Sequence, residues 1–277
     1  MTTQLLGPDL WRVMHARPKG EWRSLVSAHG PAALAALEAL HAGGVVHRDV
    51  KPGERGGRGW WMVGHGKGKR ATTRRTPRRS LLSSLSVSPP ADNFCTNLDT
   101  APSGGPGLFL IDFGGSVLAP TAVDRGSSDG SGSGASATPP HAAPPPPFFG
   151  TPHYAAHATL ADTVTPVPAH DVESLGLVLL ELWGGGLPWG AAFKSAVDAK
   201  AWSTSDRAAM ASAREADFAA AIEAGAVPWW LVEWVGAARA AAATRGGRVS
   251  YRLLRSLLRT GMGGAAEKRA GRRTAEE

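Results

Sequence analysis

Residues 47–52 read His-Arg-Asp-Val-Lys-Pro, and residues 111–114 read Ile-Asp-Phe-Gly. Enzymes that transfer a phosphoryl group need a carboxylate to orient the incoming hydroxyl and a cation to offset the charge of the phosphate. They also need oxygen ligands to hold Mg²⁺. Asp49 suits the first role, Lys51 the second and Asp112 the third. Together the two stretches predict a phosphoryl-transfer site.

The two stretches resemble the catalytic loop and the magnesium loop of protein kinases, whose patterns are H-R-D-x-x-x-x-N and D-F-G. A lysine two places after the aspartate, as at Lys51, favours the Ser/Thr branch of that superfamily. The resemblance implies ATP and Mg²⁺ as cofactors, a protein as the substrate, and Asp49 and Lys51 as catalytic residues. It further implies that Asn93 and Asp112 are metal ligands. The residues implied to bind the nucleotide with its metal are Asn93, Asp112, Phe113 and Gly114.

Two later stretches are similar to the casein kinase 1 group of protein kinases. Residues 150–156 read Gly-Thr-Pro-His-Tyr-Ala-Ala, close to the Gly-Thr-x-x-Tyr-Ala-Ser that ends the activation segment in that group. The likeness implies that Thr151 belongs to the catalytic residues and hydrogen-bonds near Asp49. Residues 171–176 read Asp-Val-Glu-Ser-Leu-Gly, which resembles the start of a helix in the same group. There Asp171 would have a structural role, as the acceptor of hydrogen bonds from the catalytic-loop backbone.

The resemblance gives the first two residues of the catalytic loop supporting roles. We expect His47 to be a packed structural residue rather than an acid or base. Arg48 would pair with a phosphorylated activation loop in some kinases, but casein kinase 1 types generally do not need that pair. The chain departs from the group at residues 168–170, where Pro-Ala-His replaces a basic pair, so recognition of acidic substrates there is not expected. Gly115 also stands where leucine is usual.

The position of Asn93 departs from the kinase pattern. The pattern requires asparagine at position 54, which holds Glu54, and Asn93 comes 39 residues later. Codons that resemble a splice donor and a splice acceptor can encode the two ends of residues 53–91. Removal of the stretch between them would place Asn93 five residues after Asp49, as the pattern requires. We therefore hypothesise that this segment is a retained intron in a gene model. The alternatives are a solvated insertion, an Arg-rich RNA-binding or nuclear-import segment at 55–79, and Glu54 acting as a replacement metal ligand.

Charge, cysteine content and the length of apolar runs limit the classes of protein to which the chain can belong. The net charge is +7, but nine of the 30 Lys and Arg residues fall in residues 53–91 beside a single acid, so the rest of the chain is close to neutral. The basicity therefore does not indicate that the folded body binds nucleic acid. The single cysteine, Cys95, excludes an internal disulfide framework and fits a reducing compartment. With no signal peptide pattern and no apolar run long enough for a bilayer, we expect a cytoplasmic or nuclear protein that does not bind membranes.

The predicted fold is mainly α, a protein-kinase-like helical C-lobe over residues 1–260 with short β-hairpins at the catalytic and magnesium loops. Helical spacing and Gly or Pro boundaries predict helices at 31–42, 171–183, 208–224, 227–243 and 249–258. Apolar pairs and runs predict strands at 45–46 and 108–111. Composition rich in Gly, Ser, Pro or Arg predicts disorder at 53–91, 119–147 and 261–277.

Residues 5–10 read Leu-Leu-Gly-Pro-Asp-Leu, which is similar to the stretch that follows the hinge strand in casein kinase 1. No Gly-rich phosphate loop or strand lysine comes before it in these residues, so we expect a truncated kinase chain without its nucleotide lobe and without activity. The alternative is a pseudokinase-like interaction module that uses the helical lobe as a binding surface. Retention of all the catalytic polar residues argues against that alternative.

Overall fold

The computed structural model describes residues 6–53, 94–97, 108–119, 147–162, 164–189, 193, 203–244 and 246–273. In these ranges the chain is mostly helical and carries two small antiparallel sheets. The helices are α1 (Leu10–His15), α2 (Trp22–Ala42), α3 (His157–Ala161), α4 (Pro168–Gly184), α5 (Thr204–Glu223), α6 (Trp229–Ala242) and α7 (Tyr251–Arg273). The strands are β1 (Leu6–Asp9), β2 (Val45–Val46), β3 (Phe94–Asn97), β4 (Leu108–Leu110) and β5 (Val117–Leu118).

Helix α4 forms the centre of the core. Every residue from Ala169 to Leu180 is buried, as predicted from its nearly continuous apolar sequence. Helices α2 and α6 pack against it. The contact with α6 is close because Gly176 has no side chain to hold Trp234 away, and the Trp234 indole N–H donates to the carbonyl of Val172 at 2.9 Å. A rigid helical centre of this kind can hold Asp171, in the first turn of α4, in one place.

Helix α2 is longer than the sequence predicted. The sequence predicts a helix that begins at Pro31, as a first-turn proline, but the observed helix begins at Trp22 and Pro31 lies inside it. The residues before the proline are buried at helical spacing, including Trp22, Leu25 and Val26. Packing of that apolar face outweighs the backbone hydrogen bond that a mid-helix proline removes. The helix ends where predicted, at Gly43 and Gly44, and Gly44 has the positive φ of a helix-ending glycine.

The two sheets connect distant parts of the chain. In the first sheet, β3 lies between β1 and β4, and Phe94 of β3 pairs with Leu110 of β4. In the second sheet, β2 pairs with β5, so Val46 lies opposite Val117. The expected hairpin at the catalytic loop is therefore wrong in one respect: β2 pairs with a strand far along the chain. This pairing brings the segment after the predicted magnesium loop beside the segment before the predicted catalytic loop.

The C-terminal helices differ from the prediction mainly at their ends. Helix α5 starts at Thr204 because Ser203 and Asp206 form a capping box, each side chain accepting from the other's backbone N–H. Helix α7 continues to Arg273, so the tail predicted from residue 261 is helical over most of its length. Residues 264–273 are rich in Ala, Glu, Lys and Arg, which favour helix more than their two glycines oppose it.

Several predictions concern residues outside the described ranges. The predicted disorder at 53–91 and 119–147, the retained-intron hypothesis and the RNA-binding segment at 55–79 lie there, apart from the end residues. Asn93 also lies outside the described residues. Of the helices that the structure describes, none has the length and apolar character needed to cross a membrane.

Candidate active site

Asp49 is at the centre of the site and is 8% exposed. Its Oδ1 atom accepts hydrogen bonds from both the backbone N–H and the hydroxyl of Thr151, each at 2.8 Å. Its Oδ2 atom lies 3.2 Å from the ammonium nitrogen of Lys51, which is also buried. Buried charges are stable only when they are paired and hydrogen-bonded, and both conditions are met here. The contact between Thr151 and Asp49 that the sequence predicted is present.

Gly150 allows this close approach of Thr151 to Asp49. Its φ of +116° lies in the region that favours glycine, and a Cβ built there would come within 2.5 Å of the carbonyl oxygen of Arg48. Any other residue would push the two segments apart. The glycine in the Gly-Thr pair therefore sets how the loop at 147–156 docks on the catalytic loop.

His47 connects the catalytic loop to the segment that carries Asp112. Its side chain is fully buried, and its Nε2 atom lies 3.0 Å from the carbonyl oxygen of Ile111. Its Nδ1 atom accepts a hydrogen bond from the backbone N–H of Asp49 at 3.3 Å. The ring also packs edge-on against Phe113 at 5.3 Å. His47 is thus a packed structural residue, as expected, and it joins the two predicted halves of the site.

Asp112 has a left-handed backbone, with φ 64° and ψ 67°, which is uncommon for a residue other than glycine. Its Oδ1 atom accepts a weak hydrogen bond from the backbone N–H of Gly114 at 3.4 Å. Phe113, the next residue, is 49% exposed. Non-glycine residues in this conformation cluster at functional sites, where the surrounding structure holds them in place. The partly exposed Asp112 carboxylate can ligate a hard cation such as Mg²⁺.

Arg48 also has a left-handed backbone, with φ 76°. Its guanidinium donates to the carbonyl oxygens of Gly115 and Pro147, at 3.2 and 2.6 Å, and lies over the ring of Phe149. Burial lowers the pKa of Arg48, and the nearby charge of Asp171 raises it in partial compensation. The contacts made by Arg48 hold together the two ends of the segment between the magnesium loop and Thr151.

Asp171 holds the backbone at the start of the His47–Pro52 stretch. Its two carboxylate oxygens accept hydrogen bonds from the backbone N–H groups of His47, at 2.6 Å, and Arg48, at 2.8 Å. Asp171 is 1% exposed and lies in the first turn of α4, where the helix dipole also favours a negative charge. The hydrogen bonds expected from the sequence are present. They fix the backbone that leads directly to Asp49.

A buried polar network supports the loop that presents Thr151. Glu173 accepts from the backbone N–H of His157 at 3.1 Å and from Arg239 at 2.9 Å. Arg214 is 2% exposed and donates to the carbonyl oxygens of Pro152 and Ala155. Burial lowers the pKa of Arg214 to about 10. Helices α4, α5 and α6 therefore each contribute a charged side chain that fixes the end of this loop.

Asn93, the remaining predicted site residue, precedes β3 directly in the sequence. The start of β3 lies opposite the end of β4 because Phe94 pairs with Leu110, two residues before Asp112. Phe94 itself is fully buried. The structure therefore describes the two strands that flank this part of the site, and Asn93 lies outside the described residues.

No protein-family model matches the chain, and no curated protein matches it. The chemistry of the site must therefore be inferred from its own residues. The structure brings together Asp49, Lys51, Thr151, His47, Arg48, Asp171 and the loop that carries Asp112, Phe113 and Gly114. Among the described residues, no cluster of three or more His, Cys, Asp or Glu side chains is arranged to hold a metal ion.

Reasoning from the sequence missed two residues that contact Asp171 directly or through a neighbour. His41, in the last turn of α2, places Nε2 at 2.9 Å from the Asp171 carboxylate. Tyr251, the first residue of α7, hydrogen-bonds to the other ring nitrogen of His41. A histidine at a helix end, two residues before a Gly-Gly pair, was the available signal for His41. No local pattern marked Tyr251, because its partner is 210 residues away.

Proposed function

We propose that the chain carries the phosphoryl-transfer site of a Ser/Thr protein kinase of casein kinase 1 type, which uses ATP and Mg²⁺ to phosphorylate protein hydroxyls. The observation that carries the proposal is the set of contacts made by the Asp49 carboxylate. Its carboxylate is buried, held by Thr151 and paired with Lys51 at 3.2 Å. A positioned carboxylate beside a lysine, at the spacing found in the kinase pattern, suits a reaction that moves negative charge.

In this proposal Asp49 orients the substrate hydroxyl and accepts its proton. Oδ1 is occupied by two donors from Thr151, which fix the plane of the carboxylate. Lys51 lies on the Oδ2 side, where its ammonium group can interact with both the carboxylate and an incoming phosphate. Catalysis of this type depends on positioned charges more than on covalent chemistry. The hydrogen bonds from the Thr151 and Asp171 side of the site supply that positioning.

Asp112 and Asn93 are the proposed metal ligands. Carboxylate and amide oxygens are the ligands that Mg²⁺ prefers, and only one or two protein ligands are needed when phosphate oxygens complete the shell. The carboxylate of Asp112 accepts one long hydrogen bond from Gly114 and is partly exposed, so it fits this role. Bound Mg²⁺ would neutralise charge on the phosphates. Asn93 is proposed from its sequence position beside β3, with Glu54 as the alternative ligand.

Three features favour the casein kinase 1 type within the kinase superfamily. Thr151 occupies the expected position and contacts Asp49. Asp171 accepts from the backbone of the catalytic loop at the start of a fully buried helix. Arg48 interacts with the chain's own Pro147 and Gly115 carbonyls, so its charge is satisfied without a phosphorylated loop. The proposed location in the cell remains the cytoplasm or nucleus.

Nucleotide binding tests the proposal directly. A thermal shift with Mg²⁺-ATP should raise the melting temperature, because a ligand that binds only the folded state stabilises it. The variant Asp112→Asn should lose most of the shift. The matched control is Asp217→Asn, which changes an exposed aspartate on α5 and should keep the shift. Absence of any shift with Mg²⁺-ATP in the unaltered chain would contradict a nucleotide site.

Phosphate transfer is a separate measurement. The 277 residues contain no Gly-rich phosphate loop followed by a strand lysine, so we expect these residues alone to transfer phosphate no faster than an Asp49→Ala variant. A generic acceptor such as casein with radiolabelled ATP provides the assay. Transfer clearly above the Asp49→Ala level would overturn the expectation of inactivity while strengthening the kinase proposal.

A pseudokinase-like interaction module is the second candidate. The observation in its favour is that two large apolar side chains near the site, Phe113 and Leu118, are 49% and 79% exposed. Exposed apolar side chains belong to interaction surfaces where they form a contiguous patch. This candidate predicts no Mg²⁺-ATP shift and no effect of Asp112→Asn on ligand binding. The same thermal-shift experiment therefore separates the two candidates.

A further inference from the structure

The ends of three helices meet behind the catalytic loop. His41 lies in the last turn of α2, Asp171 in the first turn of α4, and Tyr251 at the start of α7. The Nε2 atom of His41 is 2.9 Å from Oδ2 of Asp171, and its Nδ1 atom is hydrogen-bonded to the Tyr251 hydroxyl. The side chain of His41 is 3% exposed. A continuous chain of hydrogen bonds thus leads from α7 to the backbone of the catalytic loop.

With a neutral His41 ring, the chemistry of the three groups sets the direction of the hydrogen bonds. Both oxygens of Asp171 accept from backbone N–H groups, so Asp171 acts as an acceptor and Nε2 of His41 must carry a proton. In a neutral imidazole the other nitrogen, Nδ1, is then an acceptor. The Tyr251 hydroxyl therefore donates to Nδ1. A donor on one ring nitrogen selects the tautomer at the other, which is how outer hydrogen bonds orient a functional histidine.

The surroundings keep Tyr251 in place and protonated. Helices α2 and α7 pack against each other in an antiparallel arrangement, in which Gly30 lies against Leu258 and Glu38 pairs with Arg255. His41 and Tyr251 come next along the same interface, with ring centres 6.1 Å apart. Burial and the charge of Asp171 both raise the pKa of Tyr251, so its hydroxyl stays protonated at neutral pH and can donate.

We propose that Tyr251 is a positioning residue for the catalytic loop. Through His41 it holds the Asp171 carboxylate in the rotamer that receives the backbone N–H groups of His47 and Arg48. Helix α7 is thereby coupled to the position of Asp49, although it lies far from Asp49 in the sequence. The consequence for catalysis rests on the proposed function, whereas the coupling itself is a property of the fold.

The coupling makes the backbone of residues 47–48 sensitive to the position of α7. A displacement of the first turn of α7 would break the hydrogen bond from Tyr251 to His41. Neutral His41 could then change tautomer or turn its ring, and Asp171 would lose one of its three donors. The backbone N–H groups of His47 and Arg48 would be held less firmly. Loss of order at α7 would in this way change the position of Asp49, although α7 and Asp49 do not touch.

Amide hydrogen exchange on the full chain tests the coupling. The variant Tyr251→Phe removes the hydroxyl and keeps the ring, and it should speed exchange at the amides of His47 and Arg48 about fivefold, the effect of one lost buried hydrogen bond. The chain has only two tyrosines, so Tyr154→Phe is a matched control. Tyr154 hydrogen-bonds to Glu181, and its loss should leave the two amides unchanged relative to the rest of the core. Equal effects of both variants on these amides would overturn the proposal.

Nitrogen NMR of the His41 ring is a second measurement, and its first part uses only the unaltered chain. In the unaltered chain we expect a neutral ring with the proton on Nε2 and an accepting Nδ1, and we expect Tyr251→Phe to shift the Nδ1 resonance. A proton on Nδ1, in either a neutral or a charged ring, would overturn the proposal even if Tyr251→Phe fails to fold. Mg²⁺-ATP binding is measured separately. If the coupling is intact but Mg²⁺-ATP does not bind, the proposed function is contradicted and the coupling is not. If Mg²⁺-ATP binds but Tyr251→Phe leaves the His47 and Arg48 amides unchanged, Tyr251 is not a positioning residue.

Discussion

Thr151 donates two hydrogen bonds to a single oxygen atom of Asp49, one from its backbone and one from its hydroxyl, each 2.8 Å long. The segment at 147–156 is thereby attached to residues 47–52 at one carboxylate. The backbone bond depends on Gly150, which alone tolerates the close approach to Arg48. The side-chain bond depends on the hydroxyl of Thr151, so the two contributions can be separated by mutation.

Replacing Thr151 by valine tests the side-chain bond. Valine keeps the shape of threonine and removes the donor to a charged acceptor, which we expect to lower the free energy of unfolding by about 1.5–3 kcal/mol. The serine variant keeps the hydroxyl and should lose much less. Urea denaturation of both variants gives the comparison. Equal losses for valine and serine would show that the methyl group, rather than the hydrogen bond, matters at this position.

Asp171→Asn should be among the most destabilising single changes in the chain. The carboxylate accepts three hydrogen bonds, and an amide can accept at only one of its two terminal atoms. The NH₂ group would face a backbone N–H, so we expect a loss of about 2–4 kcal/mol. The control Asp217→Asn changes an exposed residue and should stay within about 0.5 kcal/mol. A loss below about 1 kcal/mol for Asp171→Asn would mean that the loop backbone is held by other contacts.

The sequence predicted most of the helices, because they follow from short-range patterns, and the resemblance of its motifs supplied the candidate site residues. The continuous apolar run of α4 and the paired motifs at 47–52 and 111–114 are local signals. The boundary of α2 was wrong because Pro31 is a strong start signal locally, while burial of Trp22 and Leu25 is a tertiary effect. Two long-range pairings left no trace in the sequence, because nothing local couples β2 with β5 or Tyr251 with His41.

Two helical glycines should respond to alanine with opposite signs. A Cβ at Gly176 would lie 2.6 Å from the Trp234 ring in the core, so Gly176→Ala should cost about 1–3 kcal/mol through overpacking. A Cβ at Gly236, on the exposed face of α6, meets no atom within 4 Å. Gly236→Ala should therefore raise the free energy of unfolding by up to about 1 kcal/mol through helix propensity. Thermal or urea denaturation of the pair checks both signs, and a gain in stability at Gly176 would contradict the tight contact of α4 and α6.

Folding stability should fall as the pH drops below about 6.5. The pKa of His29 is lowered by burial and by Arg17, that of His170 by burial, and that of His157 by burial and Arg239. The unfolded chain, with an ordinary histidine pKa of 6.5, then binds protons more strongly than the folded chain. The contribution of these neutral histidines is complete above that pH and is lost as the pH falls through their folded values. Denaturation at about pH 7.5 and about pH 5.5 measures the effect, and His29→Leu should reduce it.

The packing of Gly115 against Phe149 can be tested by a double-mutant cycle. A Cβ at Gly115 would lie 1.8 Å from the ring of Phe149, which also stacks on Arg48. Gly115→Ala must therefore displace the ring and should cost about 1–3 kcal/mol. Phe149→Ala removes the obstacle, so adding Gly115→Ala to that variant should cost much less. The two changes should couple by roughly 1–2 kcal/mol, since residues in direct contact are not additive. Simple additivity in urea denaturation would mean that Phe149 does not occupy the space beside Gly115 in solution, and Arg48 would then hold the loop through its carbonyl contacts alone.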